Sequence, residues 1–589
     1  MLNRHVLATL PLTSLLLTLA PGCMSGAALE GEGSSGELGS SGEVESSGEV
    51  VTDGSGSGVM TTTEDPGLED VVQVACVPGS TEVCGYGGPA HTLEVGSCRA
   101  ATRVCDEQGQ WGECAGEVVP RVEDCRTAID EDCDGRRACS GEVEWVRAFA
   151  QPAGGEYGHV SATGLAIDGH ERVWLTGELG GSLQIGGSVW DGVEQTMYMA
   201  RLYRDGTPEL GYADVREGAC GGGTTIAADG RGLVAVAAMN CGALRLATQA
   251  PSRVHTGGFH SAQVGVFAQA GDFVRDLPLL SDGAGGVDVH RLAFDGAGNL
   301  WIAGRFFAGA VTVGSGYEAR MLGGAGASDG MVVKLRPDGE VAWAHAFGDG
   351  HDQQIVGMDV NAAGDVWLAG GMFGSMQFAG GSLHAQTLDA DRASMFVVKL
   401  NGAGEWLWGR VYDSAANQAF TQVRVDADEA VLAGFYQGTA LKLGGEVVVN
   451  QVTQAALVVA RLDAQGEPLW ARGWPCVGAC VLDSLVVDGA GQAVASAALQ
   501  PSSALVIEDV VTWAPAESEA GVIAKLDRDG RLVWAPRWAR ADMKLAVGPT
   551  GAIYMAGSFA GALSFGAEAA LNLDAGTDGE DVYVARARP

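Results

Sequence analysis

The stretch Val289–Asp349 decides the fold: it begins VHRLAFDGAGNLWIAGRFFAGAVTVG and, after a glycine-rich interval, ends DGMVVKLRPDGEVAWAHAFGD. Four short segments rich in β-branched and aromatic residues are separated by the turn sequences DGAG and PDG. The segments are residues 289–295, 300–306, 331–336 and 341–347. They predict four consecutive antiparallel strands, which make one blade of a β-propeller.

The same unit recurs along the chain. Aligning the turn after its first strand superposes Asp168, Asp229, Asp295, Asn361, Asp426, Asp488 and Gly548, at steps of about 60–66 residues by subtraction. A fixed period of this kind is the sequence signature of a repeat architecture. The sequence therefore predicts an all-β fold, a seven-bladed β-propeller spanning residues 141–589.

The ends of the repeats indicate how the ring closes. Copies three to six finish with a fourth strand that carries Trp343, Trp408, Trp470 and Trp534, whereas the seventh copy stops after its third strand. GEVEWVRAFA at Gly141–Ala150 closely resembles GEVAWAHAF at Gly339–Phe347. We therefore expect residues 142–149 to pair beside residues 582–586, which removes an unpaired edge.

The third strands share a cationic position. It holds Arg201, Lys334, Lys399, Arg461, Lys525 and Arg586. The simplest interpretation is a strand side chain whose stem packs while its charged head reaches water. A binding role shared by all six cations is the less favoured alternative.

Composition limits the possible functions. The chain has 589 residues, 47% of them apolar, with 90 glycines and a net charge of −37. This charge argues against nucleic-acid binding through phosphate neutralisation and against electrostatic docking to anionic lipid. Solvation or cation binding fits it better.

The N-terminal region predicts export. Residues 1–22 contain Arg4, His5 and an apolar run from Val6 to Ala20, which is too short to span a membrane and is typical of a signal peptide. Cys23 after a small residue resembles a bacterial lipobox and would be the lipidated first residue of the mature chain. Ordinary cleavage leaving a free thiol is the alternative.

Residues 23–72 predict a tether. From residue 24 onward this segment has eleven acidic residues and no Lys or Arg, and otherwise is mostly Gly, Ser and Thr. Such a composition cannot bury a core, so we expect a disordered linker that holds the folded part away from a membrane.

Residues 73–140 form a predicted disulfide-rich module. Its cysteines are Cys76, Cys84, Cys98, Cys105, Cys114, Cys125, Cys133 and Cys139. In an exported segment they indicate four disulfides, although connectivity cannot be read from sequence. Without a C-x-x-C pair, zinc is disfavoured. In the propeller we expect Cys220 to pair with Cys241, and Cys476 with Cys480.

One motif in this module favours a metal. Asp130, Asp132 and Asp134 stand at alternate positions before Gly135, as at the opening of a calcium loop. The twelfth position of such a loop would be Gly141 rather than a bidentate Glu. Calcium binding and a solvated acidic turn therefore stay open alternatives.

Two resemblances and one looser likeness follow from these motifs. The sequence W-G-x-C-x-G-x-V-x-P at Trp111–Pro120, with the E-D-C and D-E-D-C-D-G motifs, resembles the metal-binding module of myxobacterial and related bacterial surface proteins. The propeller units resemble the bacterial surface β-propeller repeat called SBBP, which implies an extracellular propeller. The turn and Trp at Leu462–Trp470 are more loosely similar to quinone-dependent dehydrogenases and to a propeller lipoprotein of outer-membrane assembly, where the Trp locks adjacent blades by packing.

No catalytic or cofactor-binding motif occurs in the sequence. We therefore expect a non-catalytic binding or scaffold protein, anchored by lipid to the outer membrane or cell surface, with a protein or glycan partner on a propeller face. A secreted or periplasmic location is the alternative. The alternative functions are a carbohydrate-active or other hydrolase using funnel carboxylates, such as Asp349 with Asp352, and an outer-membrane assembly factor.

Overall fold

The computed structural model describes residues 76–121, 129–131, 133, 140–150, 159–191, 196–213, 222–240, 243–244, 255–256, 261–282, 285–307, 309–315, 319–324, 328–385, 392–412, 417–438, 440–449, 455–508, 510–514, 519–539, 543–565, 572–574 and 580–589. The predicted signal peptide, Cys23 and the acidic linker lie outside these residues. The same holds for Cys125, Cys139, Cys220, Cys241, Asp132 and Asp134. In the described part of the chain, no helix has the length and apolar character needed to cross a membrane.

The described chain separates into two compact units. In the first, residues 76–80 lie with 104–112, joined by the Cys76–Cys105 disulfide. The second contains residues 81–103 and everything from 113 onward, and it includes the Cys84–Cys114 and Cys98–Cys133 disulfides. Strands β1 (Thr81–Gly85) and β2 (Ala101–Val104) form a two-stranded sheet before the propeller.

The propeller consists of short strands throughout. In the first half they are β3 (Val143–Phe149), β4 (His159–Ile167), β5 (Val173–Gly180), β6 (Ser182–Ile185), β7 (Ser188–Asp191), β8 (Thr196–Leu202), β9 (Pro208–Ala213), β10 (Gly223–Ala228), β11 (Leu233–Asn240), β12 (Ala243–Leu244), β13 (His255–Thr256), β14 (Ser261–Ala268), β15 (Phe273–Ser281), β16 (Val287–Phe294), β17 (Leu300–Phe307), β18 (Ala310–Val313), β19 (Arg320–Gly323), β20 (Ser328–Leu335) and β21 (Val341–Phe347).

In the second half they are β22 (Gln353–Val360), β23 (Val366–Met372), β24 (Ser375–Phe378), β25 (Gly381–His384), β26 (Ser394–Leu400), β27 (Trp406–Tyr412), β28 (Gln418–Asp426), β29 (Glu429–Gln437), β30 (Ala440–Leu443), β31 (Glu446–Val449), β32 (Ala455–Leu462), β33 (Pro468–Val477), β34 (Cys480–Val487), β35 (Ala493–Leu499), β36 (Ala504–Ile507), β37 (Val510–Trp513), β38 (Ala520–Leu526), β39 (Leu532–Trp534), β40 (Arg537–Ala539), β41 (Lys544–Val547), β42 (Ile553–Phe559), β43 (Ala562–Ser564), β44 (Asn572–Asp574) and β45 (Asp581–Ala587).

These strands build seven antiparallel blades, which confirms the predicted seven-bladed propeller. From inner to outer strand the blades are β4-β5-β8-β9, β10-β11-β14-β15, β16-β17-β20-β21, β22-β23-β26-β27, β28-β29-β32-β33, β34-β35-β38-β39 with β40 also on β38, and β41-β42-β45-β3. The inner strands contact one another in a complete cycle, from β4 through β10, β16, β22, β28 and β34 to β41 and back to β4.

The N-terminal strand closes the ring as predicted. β3 is the outer strand of blade 7 and pairs antiparallel with β45, with Trp145 opposite Arg586 and Ala148 opposite Tyr583. The first propeller strand therefore completes a blade whose other three strands come from the end of the chain.

Each blade also carries a hairpin between its second and third strands, which the sequence analysis did not predict. The hairpins are β6-β7, β12-β13, β18-β19, β24-β25, β30-β31, β36-β37 and β43-β44. β18 pairs antiparallel with the outer strand β15 of the preceding blade and so adds a strand to that sheet. β36 pairs with β33 in the same way. These two hairpins cover sheet edges that would otherwise present unpaired backbone groups.

At five of the seven junctions, adjacent blades are joined by a tryptophan that packs on a glycine; at the other two, Leu210 packs on Gly271 and Arg275 on Gly339. The glycine lies in the turn between the third and fourth strands of the next blade and has a positive φ, so a side chain there would be strained. A Cβ at Gly466 would lie 2.6 Å from the Trp408 ring. The indole Nε1 of Trp408 donates a hydrogen bond to Ala464 O at 2.7 Å, in the same turn. The equivalent pairs are Trp343 with Gly404, and Trp470 with Gly530.

The same contact operates on both sides of the closing strand. Trp534 of blade 6 packs on Gly141, just before β3, and Trp145 of β3 packs on Gly206 of blade 1. Arg147 also donates to Asp205 O at 3.2 Å. The blade assembled from both ends of the chain is thus held to its neighbours by the contact used elsewhere in the ring.

We expect Gly466→Ala to destabilise the propeller. The positive φ of +80° costs an alanine about 1–2 kcal/mol, and the overlap with Trp408 adds roughly 1–3 kcal/mol. Gly561→Ala is the matched control, because Gly561 has φ +67° and no atom near the added Cβ. Denaturant midpoints of the two variants measure the difference, and equal midpoints would show that the tryptophan contact adds nothing.

Candidate functional site

The interpretation that the charged heads of the third-strand cations reach water is wrong for four of the six, which are buried: Arg201, Lys399, Arg461 and Lys525. Lys334 and Arg586 are half-buried. Lys525 is fully buried and its Nζ lies 3.0 Å from the equally buried Asp488. Arg201 pairs with Glu209 at 2.9 Å, and Lys399 with Asp365 at 3.3 Å. The other pairs are Lys334 with Asp295, Arg461 with Asp426 and Glu429, and Arg586 with Glu144.

Aromatic rings complete this arrangement. Lys334 Nζ lies 4.5 Å from the centre of the Trp301 ring, and the indole of Trp301 donates to Asp295 at 3.0 Å. Burial alone would raise the pKa of Asp295, but hydrogen bonds from Asn299 and Trp301 lower it on balance. Each cation thus has a carboxylate of its own, and most also lie over an aromatic ring. These contacts indicate a structural role within the blade.

The inner strands provide a different polar cluster. β-Propeller blades surround a central channel, and the inner strand of each blade borders it. Two levels of residues recur on these strands. Level I, four residues before the aligned turn position, holds Gly164, Thr225, Arg291, Gly357, Gln422, Ser484 and Lys544. Level II, two residues before it, holds Ala166, Ala227, Ala293, Asp359, Arg424, Val486 and Ala546.

A β-bulge precedes level I in six of the blades. In β16 the ladder shifts between Val289 and Arg291, which leaves His290 as the extra residue. A bulge re-aims the side chains that follow it. Burial lowers the pKa of His290, whose Nδ1 donates to Ile355 O of the next blade at 2.8 Å. The bulge therefore ties adjacent inner strands while directing Arg291 away from its own blade.

Arg291, Asp359, Gln422 and Arg424 form the cluster. The Arg291 guanidinium donates to Gln422 Oε1, so the contact runs from blade 3 to blade 5 past Gly357 of blade 4. Asp359 accepts the backbone N–H of Val425 at 2.8 Å, which links blade 4 to blade 5. A Cβ at Gly357 would lie 3.1 Å from Val423 N, so a larger residue there would need the neighbouring inner strand to shift slightly.

The surroundings of the cluster disfavour the charged forms of its two arginines. Burial and the like charge of Arg424 lower the pKa of Arg291 to about 9, although Asp359 acts in the opposite direction. Burial also lowers the pKa of Arg424 and raises that of Asp359. Within the described residues, neither arginine has a carboxylate oxygen within the 4.0 Å of a salt bridge. The arrangement can therefore accept an anion.

This cluster was not among the candidate sites predicted from the sequence. Its signal was present, because Arg291, Asp359, Gln422 and Arg424 are large polar residues at repeat positions where several other copies carry Gly or Ala. Comparing the seven copies position by position, rather than searching for short motifs, would have found them.

The predicted metal ligands are only partly described. Asp130 is nearly buried, and its backbone oxygen accepts the N–H of Ser97 at 2.9 Å. Asp132 and Asp134 lie outside the described residues. Among the residues that the structure does describe, no group of three or more His, Cys, Asp or Glu is arranged to hold a metal ion. Calcium binding by the Asp130–Asp134 segment stays a prediction.

Of the two disulfides predicted in the propeller, Cys476–Cys480 is present, and Cys220–Cys241 lies outside the described residues. Cys476 at the end of β33 is bonded to Cys480 at the start of β34, across the connection from blade 5 to blade 6. Cys476 also pairs with Leu505 in the hairpin strand β36. The bond therefore lies where two blades and a hairpin meet.

Asp349 and Asp352, the carboxylates considered for hydrolysis, each have other partners. Asp349 accepts hydrogen bonds from Ser375 N and Oγ, both at 2.8 Å, and from Gln353 Nε2 at 2.7 Å. Partial burial would raise its pKa, but the bonds from Ser375 and His351 lower it to about 2. Asp352 accepts from Ser328 Oγ at 3.0 Å. Asp349 is thus an acceptor that fixes the connection between blades, since a carboxyl of such low pKa holds no proton at neutral pH.

The fold places the chain in the class of seven-bladed β-propellers. No family model matches the chain, and no curated protein matches its sequence. Among solved structures, the WD40 β-propeller domain of Doa1 covers 75% of this chain and 97% of its own length, at 10% identity and a TM-score of 0.33. A mitotic checkpoint complex structure covers 77% and 96%, at 10% identity and 0.37. The phage phi92 endosialidase covers 75% and 68%, at 9% identity and 0.34.

The low pKa of Asp349 predicts a pH dependence. Because its folded pKa lies below the ordinary value of 3.8, its contribution to stability is fully present above that pH and disappears as the pH falls towards 2. Asp349→Asn should therefore be less stable than the parent chain at pH 6, and the gap should close in acid. Denaturant unfolding of both chains at several pH values measures this, with Asp352→Asn run beside it for comparison. A gap that persists at pH 2 would contradict the assignment.

Proposed function

We propose that the protein is a non-catalytic binding module on the bacterial cell surface, and that its ligand enters the central channel of the propeller. The observation that supports this most directly is the pair Arg291 and Arg424, which project from inner strands without a carboxylate partner in the described structure. Cations without a carboxylate partner are suited to contact a ligand rather than to stabilise a blade. The packed blades around them would hold them in fixed positions.

Export is supported by three features of the chain. The predicted signal peptide and Cys23 stand at its start, and an acidic linker follows. The disulfides of the N-terminal module and the Cys476–Cys480 bond suit an oxidising compartment. The resemblance of the repeats to bacterial surface propellers points the same way. Lipid attachment at Cys23 would then hold the propeller at the outer membrane, with the linker as spacer.

A hydrolase is the second candidate because of Glu178. Burial raises the pKa of this carboxyl, and nearby His159 opposes the rise. Glu178 is 9% exposed, and its Oε1 has no hydrogen-bond partner in the described residues. A buried carboxyl of raised pKa is suited to donate a proton. No second carboxylate has been assigned as its nucleophile or base, so binding is the preferred function.

We expect Cys23→Ser to release the protein from membranes. Without the thiol, no acyl chain can be attached, and the linker has no cation to hold anionic lipid. Fractionation of cells into membrane and soluble envelope contents measures the change, together with incorporation of labelled palmitate. Cys480→Ser is the control, since it removes a cysteine that is not at the mature terminus. Unchanged membrane association of Cys23→Ser would contradict the anchor.

Capture from envelope extract tests the binding function. The mature chain, immobilised, should retain the same component as an Arg336→Gln variant, because Arg336 is an exposed residue paired with Glu340. A double variant, Arg291→Gln with Arg424→Gln, should lose that component. If the parent chain still retains the component after calcium is chelated, binding in the channel does not depend on calcium. Equal retention by the parent, Arg336→Gln and the double variant would contradict a ligand in the channel.

The hydrolase would be favoured if the parent chain cleaved a glycan and Glu178→Gln did not. Recovery of an outer-membrane barrel protein would favour the assembly role.

A further inference from the structure

We propose that the central channel binds a small monocarboxylate anion between Arg291 and Arg424. This inference rests on the proposed binding function and names the chemistry of the ligand. It concerns a free small molecule rather than a macromolecule, because both arginines are half-buried within the inner ring.

The pairing of the other buried cations makes these two stand out. The third-strand Arg or Lys of every blade that has one pairs with a carboxylate. Arg291 and Arg424 have no carboxylate within salt-bridge distance in the described structure, although the chain carries a net charge of −37. Asp359 acts on both arginines from further away, and its single charge neutralises only one of the two. An anion between them relieves the repulsion that each exerts on the other.

One donor of the cluster awaits an acceptor. Arg291 Nε is buried and has no hydrogen-bond partner among the described residues. The same side chain donates through Nη2 to Gln422 Oε1, which fixes the orientation of its planar guanidinium. Gln422 is itself held by a bond from its Nε2 to Asp483 O at 3.3 Å. A buried donor without an acceptor is costly, so a ligand oxygen at this point is stabilising.

The charge of the cluster selects the kind of anion. Arg291 and Arg424 carry two positive charges and Asp359 one negative charge, so a single positive charge is left. One carboxylate neutralises it, whereas a phosphate dianion would leave negative charge beside Asp359. The guanidinium fork also matches the two oxygens of a carboxylate in geometry.

Apolar residues stand at the corresponding positions of the other blades. Level II of the inner ring carries Ala166, Ala227, Ala293, Val486 and Ala546, where blades 4 and 5 carry Asp359 and Arg424. The charged residues of level II are therefore confined to two adjacent blades.

Calorimetric titration of the full chain with sodium acetate tests the proposal. Acetamide is the neutral probe of similar shape, and phosphate tests the charge. We expect saturable binding of acetate, binding of acetamide at least tenfold weaker, and phosphate weaker than acetate. No acetate binding, equal binding of acetamide, or tighter binding of phosphate would each overturn the proposal.

Three variants locate the site. Arg291→Gln and Arg424→Gln should each weaken acetate binding about tenfold or more, as expected for a lost hydrogen bond to a charged group. Arg336→Gln, on the exposed surface, should bind acetate as the parent does. Arg291→Lys keeps the charge and loses the fork, so it should fold and bind at an intermediate affinity. Unchanged binding in both glutamine variants would overturn the assignment.

The outcomes also distinguish this proposal from the binding function itself. If acetate fails to bind while the captured envelope component still depends on Arg291 and Arg424, the channel is a binding site of other chemistry, and only the carboxylate inference fails. If neither acetate nor an envelope component depends on these arginines, both proposals fail.

Discussion

The packing of a fourth-strand side chain, a tryptophan at five of the seven junctions, onto a positive-φ glycine of the next blade is the contact on which the ring depends. It needs two things at once: a bulky side chain at a fixed position of the fourth strand, and a turn residue without a Cβ. Because each partner belongs to a different blade, the contact sets the spacing between blades rather than the shape of one blade. The positions of the inner-strand cluster residues depend on that spacing, because Arg291 contacts Gln422 across an intervening blade.

Much of the fold could be predicted because each blade repeats the same local rules. Turn sequences around Asp295 and Gly339 mark strand ends, and the duplicate of GEVAWAHAF at Gly141 predicts the closing strand, which pairs with β45. The inserted hairpins escaped prediction because their strands are only two to four residues long, too short for an alternating pattern to stand out. The third-strand cations were misread because a pattern along one strand does not reveal a carboxylate from a neighbouring turn, such as Asp488 beside Lys525.

The candidate site was less predictable for a physical reason. Its members come from three inner strands, so Arg291, Asp359 and Arg424 lie more than sixty residues apart in sequence, by subtraction of 291 from 359 and 359 from 424. No short motif can contain them, and only the closed ring brings them together. The chemistry that sequence did single out, at Asp130–Asp134, lies mainly outside the described residues. Asp349 was considered as a catalytic carboxylate from the sequence, but in the structure it accepts hydrogen bonds from Ser375. The sequence could not show that Ser375 lies beside it.

The join between β3 and β45 has a consequence for how the protein matures. Trp145 pairs with Arg586, so the two halves of blade 7 are separated by about 440 residues, by subtraction of 145 from 586. Loop closure over such a distance is slow, and blade 7 cannot be completed until β45 has been synthesised. Until then β3, which is synthesised before every other propeller strand, lacks its partner and presents an unpaired edge. Blades 1 to 6 can each form from consecutive strands, so closure of the ring is the last step of folding.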